Sequence, residues 1–297
     1  MTNFALCAEP ELIADYACGV GENPLWHPVE QRLLWTDITG GRLFRFDPIN
    51  GVHEQFYSGR PVGGFTIQHD GSLLLFKDRG TITCWKDDRE STVIPEIPEE
   101  RELRFNDVIA DPQGRVFCGT YTDGRLGKLY RLDIDGTLTK LLDGIGCSNG
   151  MAFTVDLKTL FYTDSLAHVI YRFDYDQNDG SIRNRQVFHE VPESEGLPDG
   201  CTLDSEGCLW FACWGGSCLI RLDPAGKVIA RILIPAKKTT SLIFAGPTLT
   251  DIYVTSEGGK HRNQSDPHAG ALFHLTCNVP GRSEFFSEIA VPEHFEI

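Results

Sequence analysis

RLLWTDITGGRLFRFDP, residues 32–48, contains an apolar run, a glycine-bearing turn and a second apolar run that ends in Arg-Phe-Asp. Short apolar runs bounded by turn residues are typical of buried strands, and a glycine pair between them suits a tight connection. Helical periodicity is nearly absent here and through most of the chain. The segment therefore predicts two antiparallel strands joined by a turn.

The same pattern recurs along the chain at intervals of 40 to 49 residues, in segments that begin at positions 72, 115, 159, 208 and 251. This is the period of a four-stranded propeller blade. Asp-rich turns such as HDGS, DPQG and DSEG precede several of the apolar strands, as hairpin chemistry requires. One apolar residue anchors each repeat at a roughly matching place: Trp35, Phe76, Cys118, Tyr162, Phe211 and Val254.

Six such units nearly fill the 297 residues. We therefore expect an all-β chain that folds as one six-bladed β-propeller domain over residues 1–297, with four-stranded antiparallel blades around a central channel. A solenoid would leave open ends, and a two-sheet sandwich would not repeat so evenly. The segments ELIADYA (11–17) and EFFSEIAV (284–291) are expected to pair and close the ring, which would remove exposed sheet edges.

The overall composition restricts the possible partners. A formal net charge of −15 argues against nucleic acid and against an anionic membrane surface, since both attract basic proteins. The first residues lack the pattern of a signal peptide, and no apolar stretch is long enough to span a bilayer. We expect a cytoplasmic protein, a monomer or weak homodimer, whose ten cysteines are mostly reduced and buried.

Four polar residues occupy one register, 12 or 13 residues before the anchor of their repeat, and all four carry side-chain oxygens. Equivalent positions of a propeller lie on a ring around its axis, so we expect these side chains to converge at one end of the channel. Carboxylate and amide oxygens suit a hard divalent cation. The corresponding places in the other two repeats are near Gly64 and Ser241. The four residues are Glu22, Asn106, Asn149 and Asp199.

A structural alternative explains part of this set. Asn-Gly and Asp-Gly pairs, as at Asn149 and Asp199, commonly form turns without any chemical role. Glu22 does not fit that explanation, because glutamate is a poor turn former and Pro24 already supplies rigidity. The shared register therefore favours a binding site over turn formation.

Several motifs together resemble the senescence marker protein/gluconolactonase/luciferin-regenerating enzyme family, which includes regucalcin and sugar lactonases. The matching segments, whose order spans nearly the whole chain, are GENPLWHP, RFNDVIADPQGRVFCGT, SNGMAF, YTDS, LPDGCTLDSEGCLWFACWGG and IYVTS. The resemblance implies a six-bladed propeller, in agreement with the repeat count. It also implies that Glu22, Asn149 and Asp199 bind a metal, with Asp199 as the general base.

The same resemblance implies substrate contacts. Asn106 matches a pocket asparagine, and Arg104 matches a substrate-binding arginine of the sugar-lactone enzymes. Some members carry an acidic residue after the Gly-Thr motif, but the ungapped equivalent here is Gly124. Tyr121 and Asp123 are therefore taken as candidate pocket residues, and this departure leaves the identity of the sugar open.

The function that follows is metal-dependent hydrolysis of a small-molecule sugar lactone, a glucono-, xylono-, arabinono- or galactono-lactone, to its hydroxy acid. One divalent ion is expected, with Ca²⁺ preferred and Zn²⁺, Mn²⁺ or Fe²⁺ as alternatives. Two other functions remain open at this point. One is a phosphotriesterase-like or luciferin-regenerating type of hydrolase, and the other is a non-enzymatic calcium-binding propeller.

Four further features have more than one interpretation. Trp214 is either a pocket wall or a packed aromatic residue, and Lys237 and Lys238 are interpreted as surface charge. The acidic segment IPEIPEERE, residues 94–102, is a candidate lid over the pocket. The polar segment HRNQSDPH, residues 261–268, is interpreted as a solvated insertion rather than a metal site.

Overall fold

The computed structural model of the chain describes residues 6–124, 126–259 and 262–292. In this part of the chain, 24 strands form six four-stranded antiparallel sheets, which confirms the six-bladed propeller. The only helical elements described are three short 3-10 turns at Pro98–Glu100, Ser165–Ala167 and Glu193–Glu195.

The N-terminal strand is β1 (Glu11–Ala14), and the blades follow in chain order. Blade 1 contains β2 (Gly21–His27), β3 (Arg32–Asp37), β4 (Arg42–Asp47) and β5 (Val52–Ser58). Blade 2 contains β6 (Val62–Ile67), β7 (Leu73–Lys77), β8 (Ile82–Lys86) and β9 (Arg89–Ile94). Blade 3 contains β10 (Arg104–Ala110), β11 (Val116–Tyr121), β12 (Gly127–Leu132) and β13 (Leu138–Ile145).

Blade 4 contains β14 (Ser148–Phe153), β15 (Thr159–Asp164), β16 (Val169–Asp176) and β17 (Ser181–Glu190). Blade 5 contains β18 (Leu197–Leu203), β19 (Leu209–Trp214), β20 (Cys218–Leu222) and β21 (Val228–Leu233). Blade 6 combines β22 (Thr239–Ala245), β23 (Asp251–Ser256) and β24 (Leu272–Thr276) with β1 as its outermost strand.

The ring is closed by the N-terminal strand, but not with the predicted partner. β1 pairs antiparallel with β24, with Leu12 opposite Phe273. Residues 284–291 do not pair with residues 11–17, so that prediction is wrong. They run across the end of the channel, where Ser287 bridges Gln68 in blade 2. We call this end the base of the propeller and residues 279–292 the C-terminal segment.

The hydrophobic core consists of six clusters, one between each pair of adjacent blades. Alternation along the strands produces this arrangement, because successive side chains point to opposite faces of a sheet. On β3, Leu33 and Trp35 pack toward blade 6, whereas Leu34 packs toward blade 2. The six anchor residues of the repeats are all at most 2% exposed.

The Asp-bearing turns have the expected chemistry. Asp111 Oδ1 accepts hydrogen bonds from the backbone N–H groups of Gln113 and Arg115, and Asp204 Oδ1 accepts from those of Glu206 and Cys208. Such side-chain acceptors stabilise turns that lead into strands. None of the helical elements in the described residues has the length and apolar character that a membrane span requires.

Candidate active site

The four register residues lie on the innermost strands β2, β10, β14 and β18, at the second or third position of each. In every one of these strands, the pairing with the next strand shifts register at or beside that residue. A bulge of this kind bends the strand and re-aims a side chain. The repeated bulge therefore holds equivalent side chains at the same level of the channel.

These side chains open into one cavity of about 670 Å³ at the end of the channel opposite the base. This volume lies within the usual range for a small-molecule site. A second cavity at the base, about 50 Å³, is too small for a sugar ring. Every site residue expected from the sequence lines the large cavity: Glu22, Arg104, Asn106, Tyr121, Asp123, Asn149 and Asp199.

Blades 2 and 6 contribute differently to the ring. At Gly64, an added Cβ would lie 2.9 Å from Val108 Cγ2 and 3.0 Å from the Asn106 carbonyl oxygen, so a larger side chain does not fit. Ser241 lines the base cavity instead. Its neighbour Thr240 lines the large cavity and donates a hydrogen bond to the Gly21 carbonyl oxygen at 2.6 Å.

Glu22 and Asp199 are two carboxyl groups with little access to solvent, each 6% exposed. Burial, followed by the nearby Asp107 charge, raises the pKa of Glu22 to about 8. Burial and then the Glu22 charge raise the pKa of Asp199 well above its ordinary value. At both acids, burial and a neighbouring negative charge disfavour the ionised form, an arrangement often found at functional sites.

Two oxygen atoms at this place lack a hydrogen-bond partner among the described residues: Asn149 Oδ1 and Asp199 Oδ1, both buried. The Asn149 amide is oriented by its Nδ2, which donates to Ser165 Oγ at 3.0 Å. Buried oxygens without a donor are costly unless a cation or a ligand pairs with them. The donor set of Glu22, Asn149 and Asp199 therefore fits a hard divalent cation.

In the described residues no group of three or more His, Cys, Asp or Glu side chains is placed to hold a metal ion. The expected ligand set includes only two such residues, with an asparagine as the third ligand. The thiol of Cys147 also lines the cavity, but burial raises its pKa, so the reactive thiolate is disfavoured. No histidine occurs among the described residues that line the cavity.

Blade 3 supplies a polar wall of the cavity. Arg104 Nη1 donates to Asn106 Oδ1 and to the Phe105 carbonyl oxygen, and Asn106 Nδ2 donates to the Ser148 carbonyl oxygen at 2.8 Å. The Arg104 guanidinium lies 5.1 Å from the centre of the Tyr121 ring. These contacts fix a cationic donor beside the two acids.

Tyr121 and Asp123 form a second unit on the same wall. The Tyr121 hydroxyl donates to Asp123 Oδ1, and burial followed by this hydrogen bond raises the pKa of Tyr121 to about 12. The tyrosine hydroxyl is therefore protonated at neutral pH. It can act as a donor to a ligand only by giving up its bond to Asp123.

The cavity has a further wall, of which the sequence suggested only Trp214 as a candidate. Trp214 lines it, which decides between the two interpretations of that residue, and Lys238 and Glu257 line it beside Trp214. The interpretation of Lys238 as surface charge is wrong, since its side chain is 17% exposed and paired with Glu257. Only the position of Glu257, directly after the apolar strand β23, could have drawn attention to it.

The candidate lid lies outside the cavity lining. None of residues 94–102 contributes to the described wall, and Glu100 anchors the segment by accepting from Lys128 Nζ and the Tyr130 hydroxyl, each at 2.6 Å. In the polar segment 261–268, His261 lies outside the described residues. Arg262, at its start, pairs with Asp15.

Comparison with known proteins adds relatives over nearly the full chain. The family described as "SMP-30/Gluconolactonase/LRE-like region" matches residues 20–258. Pentonolactonase XacC from Haloferax volcanii is 45% identical, over 93% of this chain and 97% of its own. Regucalcin from Gallus gallus is 36% identical, over 86% of this chain and 90% of its own. A putative sugar lactone lactonase, YvrE from Bacillus subtilis, is 33% identical, over 91% of this chain and 95% of its own.

Two solved structures share the fold closely. A luciferin-regenerating enzyme superposes with a TM-score of 0.87 at 26% identity, covering 94% of this chain and 99% of its own. A calcium-binding regucalcin from Agrobacterium tumefaciens superposes with a TM-score of 0.88 at 25% identity, covering 94% and 97%.

Proposed function

The chain belongs to the SMP-30/gluconolactonase/LRE-like family, and on that basis we propose that it is a lactonase that hydrolyses the ester bond of a sugar lactone. Its 45% identity to a pentonolactonase over nearly the whole of both chains supports this activity. The observation that carries the proposal is the single cavity in which two buried acids face an arginine and several amide and hydroxyl groups.

Glu22, Asn149 and Asp199 would hold one divalent cation, for which Ca²⁺ is our first candidate and Zn²⁺, Mn²⁺ and Fe²⁺ are alternatives. When bound, such an ion would polarise the lactone carbonyl and favour the ionised forms of Glu22 and Asp199. The unpartnered oxygens of Asn149 and Asp199 support this assignment. The relatives described as regucalcin and as calcium-binding support the choice of Ca²⁺ as the first ion to test.

Asp199 is the proposed base. Its carboxylate accepts a proton from water, whose oxygen forms a bond to the carbonyl carbon of the lactone. The bond between that carbon and the ring oxygen then breaks, and the proton held by Asp199 passes to the departing alkoxide. The product is a hydroxy acid. The described cavity lining offers no histidine for this role.

Arg104 and Asn106 would position the substrate. The Arg104 guanidinium is a fixed donor for a ring hydroxyl or for the carbonyl oxygen as negative charge develops on it. Asn106 is held by Arg104 and by the Ser148 carbonyl, so its orientation is set before substrate binds. Tyr121 and Asp123 would contact the sugar from the same side.

The experiment is acid release in a pH-stat from glucono-, xylono-, arabinono- and galactono-lactone. Metal-stripped protein receives Ca²⁺, Zn²⁺, Mn²⁺ or Fe²⁺ in turn. A sample without protein gives the rate of spontaneous hydrolysis, and Glu22→Gln is the variant that alters one proposed metal ligand. We expect metal-dependent turnover of at least one lactone by the wild type and almost none by the variant. Absence of turnover with every pairing would contradict the proposal.

A calcium-binding function without catalysis is the second candidate, favoured by the same two acids and by the regucalcin relatives. Titration calorimetry with Ca²⁺ on the same samples separates the two. Tight binding without turnover of any lactone would support it. Hydrolysis of an aryl phosphotriester but of no lactone would instead favour the phosphotriesterase-like alternative, against which the polar walls of the cavity argue.

A further inference from the structure

Trp214, Lys238 and Glu257 form a compact cluster, here called the blade 5/6 wall, at the edge of the large cavity. Trp214 ends β19 in blade 5, Lys238 directly precedes β22 in blade 6, and Glu257 directly follows β23. In a ring of six blades, blade 6 lies opposite blade 3. The cluster therefore faces Arg104 and Asn106 across the cavity.

Hydrogen bonds orient the Glu257 carboxylate on both of its oxygens. Trp214 Nε1 donates to Oε2 at 2.7 Å, and Lys238 Nζ donates to Oε1. The ammonium also lies 4.5 Å from the centre of the Trp214 ring. Glu257 and Lys238 are each 17% exposed, so both charges are largely withdrawn from solvent. These contacts set the orientation of the Glu257 carboxylate without a ligand.

Two similar clusters elsewhere show what a structural version looks like. Glu90 accepts from Lys77 Nζ and from the Tyr57 hydroxyl, and Lys77 Nζ lies 5.4 Å from the Tyr57 ring centre. Glu100 accepts from a lysine and a tyrosine in the same way. Neither Glu90 nor Glu100 lines the large cavity. The blade 5/6 wall has the same chemistry in a different location, which points to a ligand.

We propose that the blade 5/6 wall is a subsite that recognises the hydroxyl groups of a sugar lactone on the side away from Arg104. Glu257 would accept hydrogen bonds from hydroxyl groups, Lys238 would donate to a hydroxyl oxygen, and the edge of Trp214 would contact the apolar C–H surface of the ring. This inference rests on the proposed function. It adds that the enzyme selects polyhydroxylated lactones over lactones without hydroxyl groups.

The reason is energetic. A hydroxylated ring forms hydrogen bonds to Glu257 and Lys238, whereas an unsubstituted ring covers the same carboxylate and ammonium groups without forming any. Removing one member of the wall should therefore weaken binding of the hydroxylated ligand. It should leave the reaction of a plain cyclic ester almost unchanged, because Asp199, Glu22 and Asn149 remain intact.

The test compares Glu257→Gln with Glu90→Gln, which changes the matched cluster outside the cavity. Each protein is assayed against the best aldono-lactone and against γ-butyrolactone. For Glu257→Gln we expect kcat/KM to fall about 10- to 100-fold for the aldono-lactone, mainly through a higher KM, and less than about threefold for γ-butyrolactone. Glu90→Gln should leave kcat/KM unchanged for both lactones. Equal losses for both lactones, or no loss, would overturn the proposal.

A binding measurement separates this proposal from the proposed function. Titration calorimetry with the corresponding unreactive aldonic acid and with a polyol of the same length requires no turnover. Binding to the wild type and to Glu90→Gln, with at least tenfold weaker binding to Glu257→Gln, supports the subsite even if no lactone is hydrolysed. Binding that Glu257→Gln leaves unchanged contradicts it even if hydrolysis is observed.

Trp214→Phe provides a second variant in case Glu257→Gln does not fold. It removes the indole N–H that holds Glu257 Oε2 and keeps an aromatic side chain. We expect a smaller change in the same direction, with the aldono-lactone affected and γ-butyrolactone spared. A Trp214→Phe protein with unchanged preference between the two lactones would count against the subsite.

Discussion

Asp199 lies in the cavity, and one of its carboxylate oxygens has no hydrogen-bond partner among the described residues. The amide oxygen of Asn149 lacks a partner there as well. A buried carboxyl group in such a place is ordinarily protonated, since burial and a neighbouring acid both disfavour its ionised form. Under the proposed function, a bound cation would therefore favour the ionised form of Asp199 and so make it a base. Metal binding and proton transfer would then be linked in one side chain.

Asp199→Asn is expected to lower kcat for the best lactone by at least about 100-fold, because the amide cannot accept the proton from water. The pH-stat assay measures this, with the metal held at saturation for both proteins. Asp156→Asn is the control, since Asp156 lies in an exposed turn and does not line the cavity. Equal activity of Asp199→Asn and wild type would remove Asp199 from the mechanism.

Glu284 in the C-terminal segment is expected to make the stability of the folded protein depend on pH. Burial raises its pKa from 4.5 to about 7, with Asp107 as a further contribution. The folded state thus holds this proton more tightly than the unfolded state, so stability is full below about pH 4.5 and falls as the pH rises toward 7. The loss amounts to at most about 3 kcal/mol.

Glu284→Gln should therefore flatten this part of the stability profile. Urea unfolding at pH 5 and pH 7.5, with a chelator in both buffers, should show a larger decrease for the wild type than for the variant. Glu288→Gln, at an exposed position of the same segment, should behave as the wild type does. Parallel profiles for wild type and Glu284→Gln would contradict the assignment.

At the scale of strands, the sequence repeat is the basis for predicting the blades and the positions of the four register residues. Each repeat supplies its own inner strand, and the shared register predicted that Glu22, Asn106, Asn149 and Asp199 would meet, as they do in the cavity. Lys238 and Glu257 could not be found in this way. Their contact with Trp214 depends on a bridge between Trp214 and Lys238 that joins two blades outside the repeated strand pairs.

The closing strand was assigned the wrong partner for a related reason. Both β24 and residues 284–291 carry apolar side chains that suit a strand beside β1, and sequence patterns do not distinguish these two possible partners. The geometry of the ring does distinguish them, because β24 is the third strand of blade 6 and β1 adds to it as the fourth. Residues 284–291 then become available to cover the base.

The edge between β1 and β24 continues to Cys7 and Cys277, whose Sγ atoms lie 2.8 Å apart. The flanking bonds run from the Ala8 N–H to the Thr276 carbonyl and from the Asn278 N–H to the Leu6 carbonyl. This makes Cys7 and Cys277 a non-hydrogen-bonded antiparallel pair, the kind with the shorter Cα separation, within the range that a disulfide requires.

Treatment with hydrogen peroxide should join Cys7 to Cys277, with two thiol hydrogens lost as water. Because the two residues are 270 positions apart, the bond should stabilise the fold by about 5 kcal/mol and raise Tm by several degrees. Peptide mapping and calorimetry check both effects. Cys277→Ser should abolish the gain, and Cys213→Ser, which removes the adjacent-strand pair with Cys218, should retain it. An unchanged Tm in the oxidised wild type would contradict the expectation.

At the scale of the whole molecule, the C-terminal segment packs across the boundaries between several neighbouring blades. Phe285, Phe286 and Ile289 join three different core clusters, which lie between blades 3 and 4, 1 and 2, and 2 and 3. The segment also reaches blades 5 and 6, where Val279 packs on their shared cluster and Gly281 bridges Asp204. It therefore fastens the ring at the base. It does so on the side away from the cavity.

Ile289→Ala is expected to destabilise the fold by about 2–4 kcal/mol, because Ile289 is 3% exposed and its truncation leaves a cavity in a packed cluster. Ile49→Ala provides the matched control, since Ile49 is 85% exposed and should change stability by less than about 0.5 kcal/mol. Urea unfolding measures both. Similar stabilities of the two variants would show that the segment does not fasten the ring.

The pairing of β1 with β24 also has a consequence for the time course of synthesis. A ribosome makes β1 before the other strands of the propeller, yet its partner appears only after some 260 further residues, which takes on the order of 10 to 50 s at usual elongation rates. Through that interval β1 has no partner and the ring is incomplete. Blades 1 to 5 can form as they emerge, but blade 6 needs β1, so the last blade to be completed waits for the strand of the propeller that was made first.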